Sequence, residues 1–243
     1  VLSLVLPLLL LGGQPDTVQI GAAAPTVIKF TGDIGYVATS GNSSAQTLNL
    51  GDKFSAKIDD VTLSQTFALV YGENDGEAVT SLYRGSFRVD KGLKTRSLFA
   101  YGLLNIERNV FAGLRSRVSG AMGLSVRVID RDSDKLVFEG GFSLTRQRAT
   151  ETKGRDLDFL GGRAATTYTH QFGQRSSLVQ VVEVLPNFHE PDDLRINTET
   201  ALLSPLTSKI SVKLSYVIRY DGLPAAGFKT TDRLFASGIQ VSL

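Results

Sequence analysis

Charged side chains in this chain recur at alternate positions of long segments whose other positions are apolar. On the polar parity stand Lys29, Lys53, Lys57, Arg84, Arg88, Arg115, Arg117, Arg127, Arg163, Arg195, Lys213 and Arg219. The same parity holds Asp33, Asp90, Glu107, Glu139, Glu183, Glu199 and Asp221. Twelve bases and seven acids on one shared face allow two kinds of chemistry. They can pair and lace an interior together, because buried charges need counter-charges. They can also leave a positive excess that favours anions in a narrow pore. The expected lumen cluster is Arg115, Arg117, Arg127, Glu139, Arg163, Glu183, Arg195, Glu199, Lys213, Arg219 and Asp221.

Smaller groupings carry weaker chemistry. Arg146, Arg148, Lys153 and Arg155 form a basic cluster at one strand end. Arginine forks suit phosphate, so the cluster is a candidate lipopolysaccharide contact, with a solvated loop as the alternative. His189-Glu190-Pro191-Asp192-Asp193 gathers a base and acids, but no nucleophile pattern accompanies it. The other histidine, His170, shares the parity of Tyr168 and Phe172. Asp130, Asp132 and Asp134 alternate through a turn that lacks the glycine and distal glutamate of a calcium loop. The expectation is no enzyme, no metal and no cofactor. With no cysteine, thiol chemistry is absent. A formal net charge of +2 gives no argument for nucleic acid.

The elements that must position these groups are strands. From Leu114 to Ile129, Leu114, Val118, Met122, Leu124, Val126 and Val128 take one parity. Arg115, Arg117, Ser119, Ser125 and Arg127 take the other. Ile28, Phe30, Ile34 and Tyr36 oppose Lys29, Thr31 and Asp33, and Leu48, Leu50, Phe54 and Ile58 oppose Thr47, Asn49, Lys53 and Lys57. Ile210, Val212, Leu214, Tyr216, Ile218 and Tyr220 oppose Ser211, Lys213, Ser215, Arg219 and Asp221. A soluble β-sandwich produces one or two such strands. This many, this long, predict an all-β chain closed as an antiparallel transmembrane β-barrel. The apolar face meets lipid and the polar face lines the lumen. A charge on the lipid face costs about 2–4 kcal/mol at the midplane, which keeps Arg and Lys on one parity.

About twelve strands are expected, at Val27–Ala38, Thr47–Ile58, Val61–Tyr71, Thr80–Asp90, Thr95–Glu107 and Leu114–Ile129 in the first half. Lys135–Arg148, Leu157–Phe172, Ser177–Phe188, Leu194–Leu203, Lys209–Asp221 and Thr231–Leu243 complete them. Tight polar turns alternate with longer connections, such as Gly72 to Val79, which are expected to face outside. Ahead of the barrel, which takes residues 25–243, Val1–Leu11 is a short apolar block before Gly12-Gly13 and Ala22-Ala23-Ala24. It reads as the remnant of a secretory signal peptide with its cleavage region, residues 1–24.

Several motifs resemble one family. Gly35-Tyr36-Val37-Ala38-Thr39-Ser40-Gly41-Asn42 looks like its opening hairpin, and Tyr71-Gly72-Glu73-Asn74-Asp75-Gly76 like its second outer loop. Glu107-Arg108-Asn109-Val110-Phe111-Ala112-Gly113-Leu114 is the most specific match. Asn197-Thr198-Glu199-Thr200, Leu214 to Asp221 and Lys229-Thr230-Thr231-Asp232 add to it. The chain resembles, over Val27 to Leu243, the salt-induced outer-membrane proteins, a bacterial family built on a domain of unknown function. That resemblance implies an outer-membrane barrel linked by family name to salt stress. It supplies no activity and no agreed site. Its partners would be outer-membrane lipid, lipopolysaccharide, the barrel-assembly machinery and small solutes. Glu107, Arg108, Phe111 and Gly113 are a candidate outer-mouth motif; the alternative is a turn clamp in which Glu107 pairs an arginine and Gly113 permits the bend. Two departures stand out: a terminal Leu243 where such barrels end in an aromatic residue, and no tryptophan for the girdles. The function expected is a narrow pore or salt-stress envelope protein; a closed structural barrel, or a barrel-wall hydrolase, is the alternative.

Overall fold

The computed structural model describes residues 27–39, 45–75, 77–95, 97–109, 113–150, 156–172, 176–224 and 229–242. The expected signal remnant lies outside them. In chain order the strands are β1 (Val27–Thr39), β2 (Ala45–Ile58), β3 (Val61–Asn74), β4 (Glu77–Gly92), β5 (Leu98–Asn109) and β6 (Leu114–Asp130). They continue as β7 (Asp134–Ala149), β8 (Leu157–Phe172), β9 (Ser176–Pro186), β10 (Leu194–Pro205), β11 (Ile210–Asp221) and β12 (Thr231–Ser242). Each pairs antiparallel with its chain neighbour, and β1 closes on β12 through Thr31–Ile34 against Ile239–Ser242. The result is a closed twelve-strand barrel.

The two faces sort as the parity requires. Met122 is 70% exposed and Phe142 63%, while on the opposite face Asn49, Asp90 and Ser125 are fully buried. An apolar exterior around a charged interior is the inverse of a water-soluble protein, and hydrocarbon is the solvent that suits it. Strands of eleven to seventeen residues reach or exceed the roughly 9–11 needed to cross, so the ends of the longer ones project beyond the lipid. One such end carries an aromatic rim. Tyr168, His170 and Phe172 stack along β8, with ring centroids 6.4 and 6.1 Å apart. Asp134 on β7 accepts from the Tyr168 hydroxyl at 2.7 Å and lies 2.8 Å from His170 Nδ1.

One described turn differs from expectation. The stretch Gly72 to Val79, expected as a loop, is mostly strand: β3 runs to Asn74 and β4 starts at Glu77. The turn left between them is tight, and Asp75 adopts φ 51°. Aspartate tolerates the left-handed region because its short side chain bonds local backbone. At the other barrel end, Asp59 does the same with φ 50° in the β2–β3 turn.

One parity assignment fails for a local reason. Leu114, placed on the lipid face by alternation, is buried, and Arg115, expected in the lumen, is exposed. A β-bulge lies between: Leu114 pairs Ala149 and Ser116 pairs Arg148, so Arg115 is an extra residue. An extra residue inverts the facing of everything on its far side. Alternation resumes with Arg117 inward.

Mid-barrel, Gly123 and Gly141 face each other across β6 and β7. A Cβ on Gly123 would fall 2.1 Å from the Gly140 carbonyl oxygen, and one on Gly141 2.1 Å from that of Met122. In the same row, Tyr101 pairs Gly123 and Gly141 pairs Arg163, so the two glycines leave room between an inward tyrosine and an inward arginine. Gly141→Val should therefore cost about 1–3 kcal/mol or more in folded stability. Gly102→Ala, whose Cβ meets nothing within 4 Å, serves as control. Urea refolding midpoints in detergent micelles test this; equal midpoints for the two variants would refute the packing argument.

Candidate functional site: the charged lumen

Antiparallel pairing sends every second residue of twelve strands to one axis, so side chains distant in sequence meet there. They meet in two decks. The deck nearer the β5–β6 connection centres on Glu107 of β5. Its Oε1 accepts from Arg84 Nη2 at 2.9 Å and lies 3.8 Å from Arg219 Nη1. Its Oε2 lies 3.7 Å from Arg117 Nη1. Arg117 is held by Gln147, whose Oε1 accepts from Nε at 2.8 Å and Nη2 at 2.6 Å. Asp221 Oδ2 stands 3.9 Å from Arg117 Nη2. In a ring of twelve, β5 and β11 are diametrically opposed, so Glu107–Arg219 crosses the full lumen.

The second deck is drier. Arg88 grips Asp90 on its own strand through Nε at 2.8 Å and Nη2 at 2.7 Å. It also grips Glu139 on β7 through Nη2 at 2.7 Å and Nη1 at 3.1 Å. Glu139 accepts again from Arg163 Nη1 at 2.6 Å. Arg163 Nε donates to Glu183 at 2.7 Å, and Asn197 Nδ2 donates to the other Glu183 oxygen at 3.0 Å. The Tyr101 ring lies beside both arginines, with Cζ of Arg88 at 4.8 Å and of Arg163 at 5.2 Å from its centroid. Side chains of this deck from Arg88 to Arg163 are under a tenth exposed. Bidentate arginine–carboxylate geometry offsets the desolvation that such burial demands.

An apolar clasp runs beside the decks. Val70 on β3, Leu82 on β4 and Val217 on β11 form a buried cluster across the lumen. Val217 stands among Lys213, Ser215 and Arg219 on the inward parity. Its apolar character among polar neighbours was the one available signal for it. Two cavities among the described residues have volumes of about 140 and 190 Å³. Both are lined by Arg84, Asn105, Arg163 and Glu183, which separate them.

Of the expected lumen cluster, Arg117, Glu139, Arg163, Glu183, Arg219 and Asp221 join the decks as described. Lys213 and Glu199 pair at 3.6 Å, and Arg195 faces Asp193 at 3.5 Å with Cζ 5.0 Å from the Phe159 ring. Arg127 donates to Asp130 at the strand end, its Cζ 5.3 Å from the Phe99 ring. Arg115 is the correction: the bulge carries it out of the lumen. Residues the parity held but no motif singled out include Gln147 and Tyr101.

The described residues of the outer-mouth motif face different ways. Glu107 is a lumen residue, Arg108 is exposed on the outer face, and Gly113 takes φ 75° and accepts a hydrogen bond from Thr150 N at 3.0 Å. Phe111 lies outside the described residues. In the basic rim cluster, Arg148 Nη1 donates to Asp158 at 2.7 Å and Arg146 Nε lies 3.3 Å from it. Asp156 is 3.6 Å from Arg148 Nε. These carboxylates already partner the two arginines that were candidates for lipid phosphate; Lys153 and Arg155 lie outside the described residues. Near His189, Asn187 organises the loop: its Oδ1 accepts from His189 N at 2.9 Å and its Nδ2 donates to Asp193 at 2.9 Å. Asp130 and Asp134 are spent on Arg127 and on Tyr168 and His170, and no metal-holding group of acids and histidines occurs among the described residues.

Glu139 is the joint between Arg88 and Arg163, so Glu139→Gln should cost about 3–5 kcal/mol by leaving buried guanidinium charge unpaired. Asp221→Asn, at a partly exposed pair 3.9 Å from its partner, should cost under about 1 kcal/mol. Unfolding midpoints that rank the two in the opposite order would contradict the deck assignment.

Solved structures offer parallels of low identity. The translocator domain of autotransporter NalP from Neisseria meningitidis is 12% identical, with a TM-score of 0.45, over 89% of this chain and 87% of that one. The β domain of the Bordetella autotransporter BrkA is 10% identical, with a TM-score of 0.42, over 88% and 97%. OccK11 of Pseudomonas aeruginosa is 10% identical, with a TM-score of 0.30, over 90% and 94%. No curated protein matches the chain in sequence. The family described as "Protein of unknown function, DUF481" matches residues 32–242, almost the entire barrel, and the chain belongs to that family.

Proposed function

We propose that this protein is a non-enzymatic outer-membrane barrel acting as a narrow conduit for water and small ions, constricted so that sugars do not pass. The observation that carries this is the pair of contacts joining strands that are not neighbours. Arg88–Glu139 links β4 to β7, and Glu107–Arg219 links β5 to β11. An open diffusion pore keeps its charged groups on the wall; here they meet in the middle. The cavities of about 140 and 190 Å³ beside them hold several waters each, and the charged lining gives ions a path from one to the next. Outer-membrane residence is supported by the apolar exterior and the charged interior.

A second reading, a barrel closed altogether that serves as a structural or adaptor element, is favoured by the dryness of the inner deck. Arg88 is 4% exposed and Glu139 8%. The two readings differ in conductance.

Refolded protein in liposomes should show no swelling with small sugars, while planar bilayers should show small ohmic steps in salt. Arg88→Ser combined with Glu139→Ser removes both charges of one cross-lumen pair and should raise conductance severalfold. Sugar flux through the unaltered barrel at the rate of a general porin would refute the constriction. Zero conductance in both proteins would select the closed barrel.

A further inference from the structure

The cavity of about 140 Å³ has an unbalanced wall. Arg84, Arg117, Arg163 and Arg195 line it against only two carboxylates, Glu107 and Glu183. Both glutamates are already committed. Glu107 holds Arg84 at 2.9 Å, and Glu183 holds Arg163 at 2.7 Å and Asn197 at 3.0 Å. Arg117 spends its short hydrogen bonds on a neutral amide, Gln147, with its nearest carboxylates at 3.7 and 3.9 Å.

Arg195 is the more telling group. It is 8% exposed, and its Nε is buried without a hydrogen-bond acceptor. Asp193, 3.5 Å away, is its closest carboxylate, and the other oxygen of Asp193 is taken by Asn187. A buried guanidinium whose Nε has no acceptor within hydrogen-bond distance is costly. Its flat face rests on Phe159, which fixes the plane of the fork. The wall beyond the charges is polar, with Asn105, Ser119 and Thr145 among the lining.

From this geometry we infer that the cavity bounded by Arg117, Arg195 and Arg84 is a binding site for a small oxyanion, a phosphate or a carboxylate. Two guanidinium forks with spare donors match the bidentate geometry of oxyanions, which a spherical halide does not exploit. The volume admits one such ion with attendant water. Because the site lies inside the barrel wall, membrane lipid headgroups are excluded as its occupant; free anions in the lumen are the source. This deepens the conduit reading by naming its ion class, and it rests on that reading only for the anion's onward passage; binding itself stands apart from conduction.

The test is calorimetric titration of the refolded barrel in a zwitterionic detergent at low ionic strength, with inorganic phosphate, acetate and chloride in separate runs. Saturable one-site binding of phosphate, acetate or both, at least tenfold tighter than chloride, is expected. Arg195→Gln and Arg117→Gln should each weaken it tenfold or more, and Arg195→Lys, which keeps the charge without the fork, should also weaken it. Retention of the heat-resistant folded band on a gel confirms that each variant is a barrel. If Arg195→Gln does not fold, Arg195→Lys and Arg117→Gln carry the comparison. Absence of saturable binding, chloride bound as tightly as phosphate, or folded variants that bind unchanged would each overturn the site. A barrel that binds phosphate yet shows no conductance would overturn the conduit and leave the site standing.

Discussion

In hydrocarbon no water is available to satisfy a backbone N–H or C=O, and each one left unpaired costs several kcal/mol. A chain that crosses lipid in strands must therefore close its sheet, and the seam between β1 and β12 is where this one does so. Everything else in the molecule descends from that closure. A closed sheet has one inner and one outer face, and the two-residue period assigns each side chain to one of them. Lipid then forbids charge on the outside, and the arginines, lysines and carboxylates converge on the axis.

Convergence creates a second requirement. Charges gathered in a narrow lumen are poorly solvated and must find one another. Arg88, Arg163 and Glu139 do so with short contacts, one between strands three apart around the ring and one between neighbours. The glycines opposite Tyr101 let this happen, because Gly123 and Gly141 leave an empty place between the tyrosine ring and Arg163. Val70, Leu82 and Val217 add an apolar contact across the same lumen, so that polar pairing and apolar burial pull opposite walls together. Cavities of about 140 and 190 Å³ lie beside these contacts. The lumen's charge is compensated tightly at the dry deck and less closely at Arg117 and Arg195.

The rim shows the opposite regime. Arg146 and Arg148 sit on the lipid-facing parity but at strand ends, where the cost of charge falls away, and Asp156 and Asp158 answer them. Asp134 likewise ties Tyr168 to His170 at the other end, building an aromatic rim without tryptophan. Pairs of this kind are exposed and screened, and they contribute little beside the buried decks.

Alternation of apolar and charged residues was enough to specify twelve strands, their faces, and a lumen rich in arginine, because a period of two is a local property that no distant contact alters. Local periodicity also failed locally: one extra residue at Arg115 inverted Leu114 and Arg115, and no residue type in that stretch announces a bulge. The sequence overstates the turn at Asp75 at the expense of strand for a similar reason, since the polar stretch Gly72 to Val79 suits a loop as well as strand ends. Partner choice lay beyond the sequence altogether. That Glu107 faces Arg219 across the ring, or that Glu139 is shared by two arginines, depends on barrel diameter, strand stagger and the room left by paired glycines. The sequence by itself determined which groups enter the lumen, because lipid excludes charge; the tertiary structure alone decided which of them neutralise one another and which guanidinium is left with a donor to spare.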